Sequence, residues 1–249
     1  MSKEVEFEYT GLEEREDVPK DVTIVRFYSS VIEVSEMFQH CQQLKNVVLN
    51  EGLQKIGTNS FSHCSKLEYI NLPSTVTEID KCAFAHCSSL KKVVLNEGLT
   101  KIGNETFNYC RELKHINFPS TVTEVGDYAF YLCKMRDMIL PEKLQKIGNY
   151  AFYSCHDLEL IKLPSTVTKL GRGAFEHCVN LKEVVLNGRL NTIERSAFGG
   201  CLNLDTVILN KSLQKIETGA FAGCTSLQHM KIPSTVTGLV VVHFTVVKG

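Results

Sequence analysis

Nine cysteines of this 249-residue chain form one column: Cys41, Cys64, Cys87, Cys110, Cys133, Cys155, Cys178, Cys201 and Cys224. They are 23 residues apart, except for one interval of 22. A thiol can ligate metal or act as a nucleophile when it is ionised and reachable. Stacked thiols would lie about 5 Å apart, but a straight column does not converge on one point as the C-x-x-C pairs of structural zinc sites do. Cys82 is off the column, just before Ala83-Phe84. It reads as the more exposed and more reactive thiol, or as an ordinary surface cysteine. His40, His63 and His86 each precede a column cysteine on adjacent coils, and His177 does so further on. They should therefore point outward. Stacked imidazoles can hold a divalent ion or respond to pH near about 6.5, although histidines on a surface turn are the commoner case. No G-x-S-x-G, H-E-x-x-H, P-loop or dinucleotide fingerprint is present, and the Glu13-Glu14 pair sits in an acidic terminal stretch. The expectation is no catalytic residue, no cofactor, no resident metal and no enzyme activity.

What must position these side chains is a repeat. A phenylalanine precedes every column cysteine by three residues, from Phe38 to Phe221. A fixed period of this length means a solenoid, one coil per repeat. Residues 67–87, LEYINLPSTVTEIDKCAFAHC, show the unit. Tyr69-Ile70-Asn71-Leu72 alternates as a strand with one buried face does, and Pro73 ends it. Val76 and Ile79 begin a second, shorter extended segment; Ala83, Phe84, Cys87 and Leu90 then have the spacing of a short helical turn. The expected fold is a right-handed solenoid of 23-residue coils, with a parallel β-sheet on one face and short helical turns opposite. In the 22-residue repeat, Cys133-Lys134-Met135 has one residue fewer between cysteine and strand. The expectation is that the loss falls in the turn and that the strand over residues 135–141 stays in register.

Two coil types occur. Pro-Ser-Thr-Val-Thr begins at Pro73, Pro119, Pro164 and Pro233; Asn-Glu-Gly-Leu begins at Asn50 and Asn96, with variants at Asn187 and Asn210. Duplication in pairs accounts for the pattern, and no function is assigned to it. The domain reading is an acidic N-terminal cap over residues 1–24, the solenoid over 25–239, and a truncated or poorly capped final coil over 240–249. That last stretch, apolar and β-branched, is an association hazard, so self-association through this end is possible.

Composition narrows the partners. A net charge of -1 gives no electrostatic reason to expect nucleic acid or an anionic membrane. The start of the chain has no apolar leader region and no run is long enough to span a bilayer, so a cytoplasmic location with reduced, buried cysteines is expected. Two glycosylation patterns, at Asn104 and Asn210, matter only in a secreted protein.

The unit L-x-x-I-x-L-P-x-x-L-x-x-I-x-x-x-A-F-x-x-C resembles the BspA-like class of leucine-rich repeats, for which residues 158–178 are a close match. The likeness covers about residues 25–244 and extends to the large arrays of unicellular eukaryotes, protists and algae among them. It implies the solenoid fold. Members with known roles are mostly surface proteins that bind host or matrix proteins and carry secretion signals. The class supplies no catalytic residues.

The reading of function is therefore a non-enzymatic protein-interaction module that binds another protein through its sheet face. The outward residues expected to carry it are Tyr69, Lys91, Val94, Lys114, His115, Arg136, Ile139, Leu160, Lys162 and Val185, with apolar anchors set among charges. The bland reading of the same columns is a solvated sheet whose valines serve strand propensity. Two alternatives remain: a surface adhesin-type binder whose leader is missing from this chain, and a metal- or redox-responsive sensor using stacked histidines or cysteines.

Overall fold

The computed structural model describes residues 4–136, 138–187 and 189–239. The chain winds as a solenoid whose strands pair only in parallel, each with the equivalent strand one coil away. Alternation places Tyr69 and Asn71 outside and Ile70 inside, and the register Tyr69↔Lys92, Ile70↔Val93, Asn71↔Val94 stacks like on like. This is the period-2 rule applied coil after coil.

The long sheet comes in three segments. The first joins Glu6–Tyr9, Ile24–Phe27 and Asn46–Val48; the second joins Tyr69–Asn71, Lys92–Val94 and His115–Asn117. The third joins Leu160–Leu163, Glu183–Leu186, Thr206–Ile208 and His229–Met230. Two-residue strands such as Lys55–Ile56, Glu78–Ile79 and Glu124–Val125 form a second, narrower sheet after the corner.

The third face differs from the expected helical turn. It is a run of hydrogen-bonded turns, and the only helix among the described residues is the 3-10 turn Arg15–Asp17. Each coil carries two residues of positive φ four positions apart, such as Cys82 (58°) and His86 (61°), which leaves no stretch long enough for a helix. Turns of successive coils are instead bonded to one another: Phe61 N–H to Ala83 O at 2.8 Å, His63 N–H to Ala85 O at 2.8 Å. All three faces thus satisfy their backbone groups between coils.

The core is a set of columns. Nine fully buried phenylalanines, Phe38 to Phe221, stack with ring centroids 5.1–5.6 Å apart. Burying one such side chain is worth about 1.5–3 kcal/mol, and each ring pair adds about 0.5–1.5 kcal/mol. At the N-terminal end, Phe7 and Tyr9 meet the Phe38 ring edge-on at 6.4 and 5.4 Å, so the strand Glu6–Tyr9 covers the first ring. The final coil expected over residues 240–249 lies outside the described residues.

The alternation of coil types has a structural cause. Asn96 donates from Nδ2 to the carbonyls of Pro73 (2.7 Å) and Val76 (3.0 Å) in the coil before, while its Oδ1 accepts the Gly98 N–H at 2.6 Å. Glu97 then accepts the Ser120 N–H (3.0 Å) and hydroxyl (2.8 Å) of the coil after. Asn50, Gly52, Glu51 and Ser74 repeat the set one pair earlier. Each coil type supplies what its neighbour lacks.

Candidate functional site

One of the two interruptions of the long sheet falls at the shortened coil. Residues 135–141 were expected to continue the sheet, yet none of those described is in a strand, and among the described residues no ladder joins His115–Asn117 to Leu160–Leu163 across them. One turn hydrogen bond differs at this coil. Elsewhere the leucine that opens the strand bonds back to the cysteine three residues before it: Leu67 to Cys64 at 3.0 Å, Leu90 to Cys87 at 2.9 Å, Leu113 to Cys110 at 3.1 Å. Met135 is only two residues past Cys133 and cannot make that turn. It still reaches the core, fully buried; Met138 packs against the core and Leu140 is buried, while Ile139 between them is 88% exposed. On the sheet side the Arg136 N–H still bonds Lys114 O in the coil before, at 3.1 Å.

A groove of about 590 Å³ opens at this break. Met138, Leu140 and Leu163 form its apolar floor; Ile139 and Leu160, the latter 51% exposed, stand at its sides. Arg136, Lys162, Glu142 and Glu159 rim it. Glu159 is held by Lys182 at 2.8 Å, which, with the Arg136 charge, keeps its carboxyl below the usual range. Arg136 and Lys162 have no carboxylate partner within ion-pair distance among the described residues, although Lys91, Lys134 and Lys182 on the same face each have one. Glu142 follows a corner proline and does not take up the serine of the next coil as Glu51 and Glu97 do.

Arg136, Ile139, Leu160 and Lys162 thus share one concave site. Lys114 and His115 are exposed on the strand at its near bank, and Val185 is half-buried one coil beyond its far bank. Tyr69, Lys91 and Val94 lie apart, on the earlier sheet segment. Tyr69 is 46% exposed with Lys92 over its ring at 5.9 Å, and Lys91 is tied to Glu68 at 2.8 Å. Val94 is half-buried and offers less surface than an outward valine would.

The column cysteines do more than fill space. From Cys64 to Cys224, each Sγ donates to the carbonyl of the phenylalanine in the preceding coil, at 3.1–3.4 Å. Burial pushes these thiols up, Cys87 to about 12, so they are held as neutral donors. Cys82 is half-buried; burial and the Glu105 charge raise it more modestly. Among the described residues no cluster of three or more His, Cys, Asp or Glu side chains is arranged to hold a metal ion.

The imidazoles do stack: His40 on His63 at 4.4 Å, His63 on His86 at 4.3 Å, and His86 on Tyr109 at 4.6 Å. Beyond them lies a patch that sequence reading missed. Tyr128 and Tyr150 stack at 5.1 Å, Tyr131 and Tyr153 at 4.6 Å, with Arg172 over Tyr150 and Arg111 over Tyr109. Tyr109, Tyr128 and Tyr150 hold φ of 60°, 55° and 53°, where Gly200, Gly219 and Gly223 stand in later coils. A bulky side chain in that region is strained. The sequence signal was there: Tyr109, Tyr131 and Tyr153 recur beside the cysteine column.

A family model described as a BspA type leucine-rich repeat region, in six copies, matches residues 20–136 and 123–245. Among solved structures, a leucine-rich cell surface protein of Faecalibacterium prausnitzii is 27% identical with a TM-score of 0.50, covering 87% of this chain and 74% of its own. A leucine-rich repeat protein of Bacteroides ovatus is 24% identical with a TM-score of 0.57, covering 88% of this chain and 74% of its own, a likeness of fold. No curated protein matches the chain.

Proposed function

Since the chain belongs to the BspA-type leucine-rich repeat family, we propose that it is a non-enzymatic interaction module that holds another protein on the outer face of its long sheet. The observation that carries this reading is the concentration at one place of exposed aliphatic side chains, Ile139 and Leu160, beside the cations Arg136 and Lys162, which have no ion-pair partner among the described residues. Apolar anchors inside a charged rim are the usual composition of a protein-binding patch. Leucine-rich arrays offer an extended face suited to such binding. A net charge of -1 does not favour nucleic acid or an anionic bilayer as the partner. Ten thiols without a disulfide among them suit a reducing compartment, so the cytoplasm is the proposed location.

A second reading has one specific support. The similar Faecalibacterium protein is a cell surface protein, and an adhesin-type role at a cell surface would use the same sheet face. The sensor reading is weaker, because the column thiols are buried and engaged as hydrogen-bond donors.

The test is affinity capture from source-cell lysate with the native chain and with a Tyr69→Asp, Ile139→Asp, Leu160→Asp variant. All three residues are exposed, so circular dichroism should be unchanged. A protein retained by the native chain and lost by the folded variant supports the sheet face. Identical retention by both removes it.

A further inference from the structure

Resting on the sheet-face reading and naming its partner, we infer that the protein held on the sheet is a second copy of this chain, turned end for end about a two-fold axis that runs parallel to the strands between Ile139 and Leu160. The charge map of the face carries the inference. The outward positions are those of residues 66, 68, 69 and 71 and their equivalents in every coil. From Gln43 to Ile139 these positions hold seven lysines and arginines against three acids, with Asp137 of the sequence counted among the acids. From Asp157 to Lys231 they hold three lysines against four acids. One half of the face is therefore basic and the other slightly acidic, a division that the net charge of -1 conceals. A two-fold interface must be complementary to itself, and a face split in this way is so when each basic half lies on the other copy's acidic half.

The match holds coil by coil. A half-turn about this axis lays each coil on the one equally far from the axis in the other copy, column on column. Arg136 then meets Glu159, Lys91 meets Asp205, Lys134 meets Asp157 and Val94 meets Ile208, each pair twice. No acid falls opposite an acid. The single like pair is Lys114 with Lys182, and Lys182 is already held by Glu159 at 2.8 Å. Arg136 has no ion-pair partner among the described residues and gains one; Lys91 and Lys134, already on Glu68 and Glu112, gain a second. Other registers are penalised. Moving the axis by half a coil sets Arg136 on Arg136 and Glu68 on Asp205 in one direction, or Glu159 on Glu159 and Arg136 on Lys182 in the other. At the axis, the two copies of Ile139 and of Leu160 come within a coil spacing of about 4.8 Å. In the single chain these side chains are 88% and 51% exposed, and the pairing covers both. An aliphatic centre within a charged surround is the ordinary anatomy of an interface.

The experiment is sedimentation equilibrium of the full chain over a range of protein and salt concentrations. The expected result is a monomer–dimer equilibrium whose Kd rises at least tenfold from low to high salt. Two variants invert the charges that meet: Lys91→Glu with Arg136→Glu, and Glu159→Lys with Asp205→Lys. None of the four side chains is buried, and circular dichroism checks the fold of each variant. Either variant alone should be monomeric. An equimolar mixture of the two should re-form a one-to-one dimer, which a merely damaged chain would not do. A native chain that is monomeric at every concentration, a dimer that both variants keep, or a mixture that stays monomeric each overturn the inference. A chain that stays monomeric yet captures a different protein through Tyr69, Ile139 and Leu160 would overturn the self-pairing and leave the sheet-face reading standing. A charge-swapped dimer with nothing captured from lysate would support the pairing and remove the wider reading.

Discussion

The Sγ of Cys133 donates to the carbonyl oxygen of Phe107, 3.2 Å away in the coil before, while the same carbonyl accepts the backbone N–H of Cys110 at 3.1 Å. One residue type is therefore asked to be small, apolar and a donor. Alanine loses the donor and leaves a void; the hydrogen bond is worth about 1 kcal/mol and the void about as much again. Cys133→Ala should lower stability by about 2 kcal/mol, read as a lower urea midpoint with little change in slope. A midpoint within error of the native one would show the bond to be idle.

The same burial makes the column thiols unreactive. In the native protein at mild alkaline pH, Cys82 should be the first of the ten thiols to react with a disulfide reagent, and Cys82→Ser should remove that phase. All ten should react once the chain is unfolded. Several equally fast thiols in the native state would contradict the burial described.

Acid should loosen the histidine stack. His63 is held below the usual imidazole range first by burial and then by the charges of His86 and His40; burial and Arg111 do the same to His86. The unfolded chain then binds protons that the folded one resists. Stability from this source is complete above about pH 6.5 and is lost as pH falls toward the folded values. His63→Gln should flatten the loss below about pH 6.5 in thermal melts. An unchanged acid limb would sink the idea.

Tight stacking of coils leaves no room at Gly171, where an added Cβ would fall 2.5 Å from the backbone of Gly148. Gly171→Ala should destabilise by about 1–3 kcal/mol or more, because the obstacle is backbone and cannot turn aside. Calorimetry on the single variant checks it.

A serine inserted after Cys133 would restore a 23-residue coil, with a consequence for stability. A re-formed strand would bridge the two sheet segments, so amide exchange at 160–163 should slow and the melting temperature rise. Faster exchange there would mean that the coil's length is not what breaks the sheet.

Much of this could be read from the chain because each coil repeats the same instructions. The Phe84–Cys87 spacing marks the coil nine times over, and the Tyr69–Leu72 alternation with a corner proline such as Pro73, or an asparagine such as Asn96, outlines its strand. Three things escaped. Counting from phenylalanine to phenylalanine located the short coil but not the loss of its strand, where Met135 stands too near Cys133 for the i to i+3 bond of the other coils. The pairing of Asn96 and Glu97 with adjacent coils looked like duplication, because its reason lies in contacts about 23 residues away. The tyrosine patch escaped because aromatic residues are the last to be expected at positive φ, although Gly200 and Gly223 marked the column. At the candidate site, alternation alone put Arg136, Ile139, Leu160 and Lys162 on the outer face, and nothing in the spacing said that they share a hollow.

Across the short coil, Phe130 and Phe152 stack at 5.2 Å with their rings only 2° from parallel. The spine of the array does not register that a residue has gone. Editing a coil's circumference is thus available at any repeat without retuning the interior, and one deletion suffices to turn a uniform wall into a niche. In such an array, novelty of surface and conservatism of core are inherited separately.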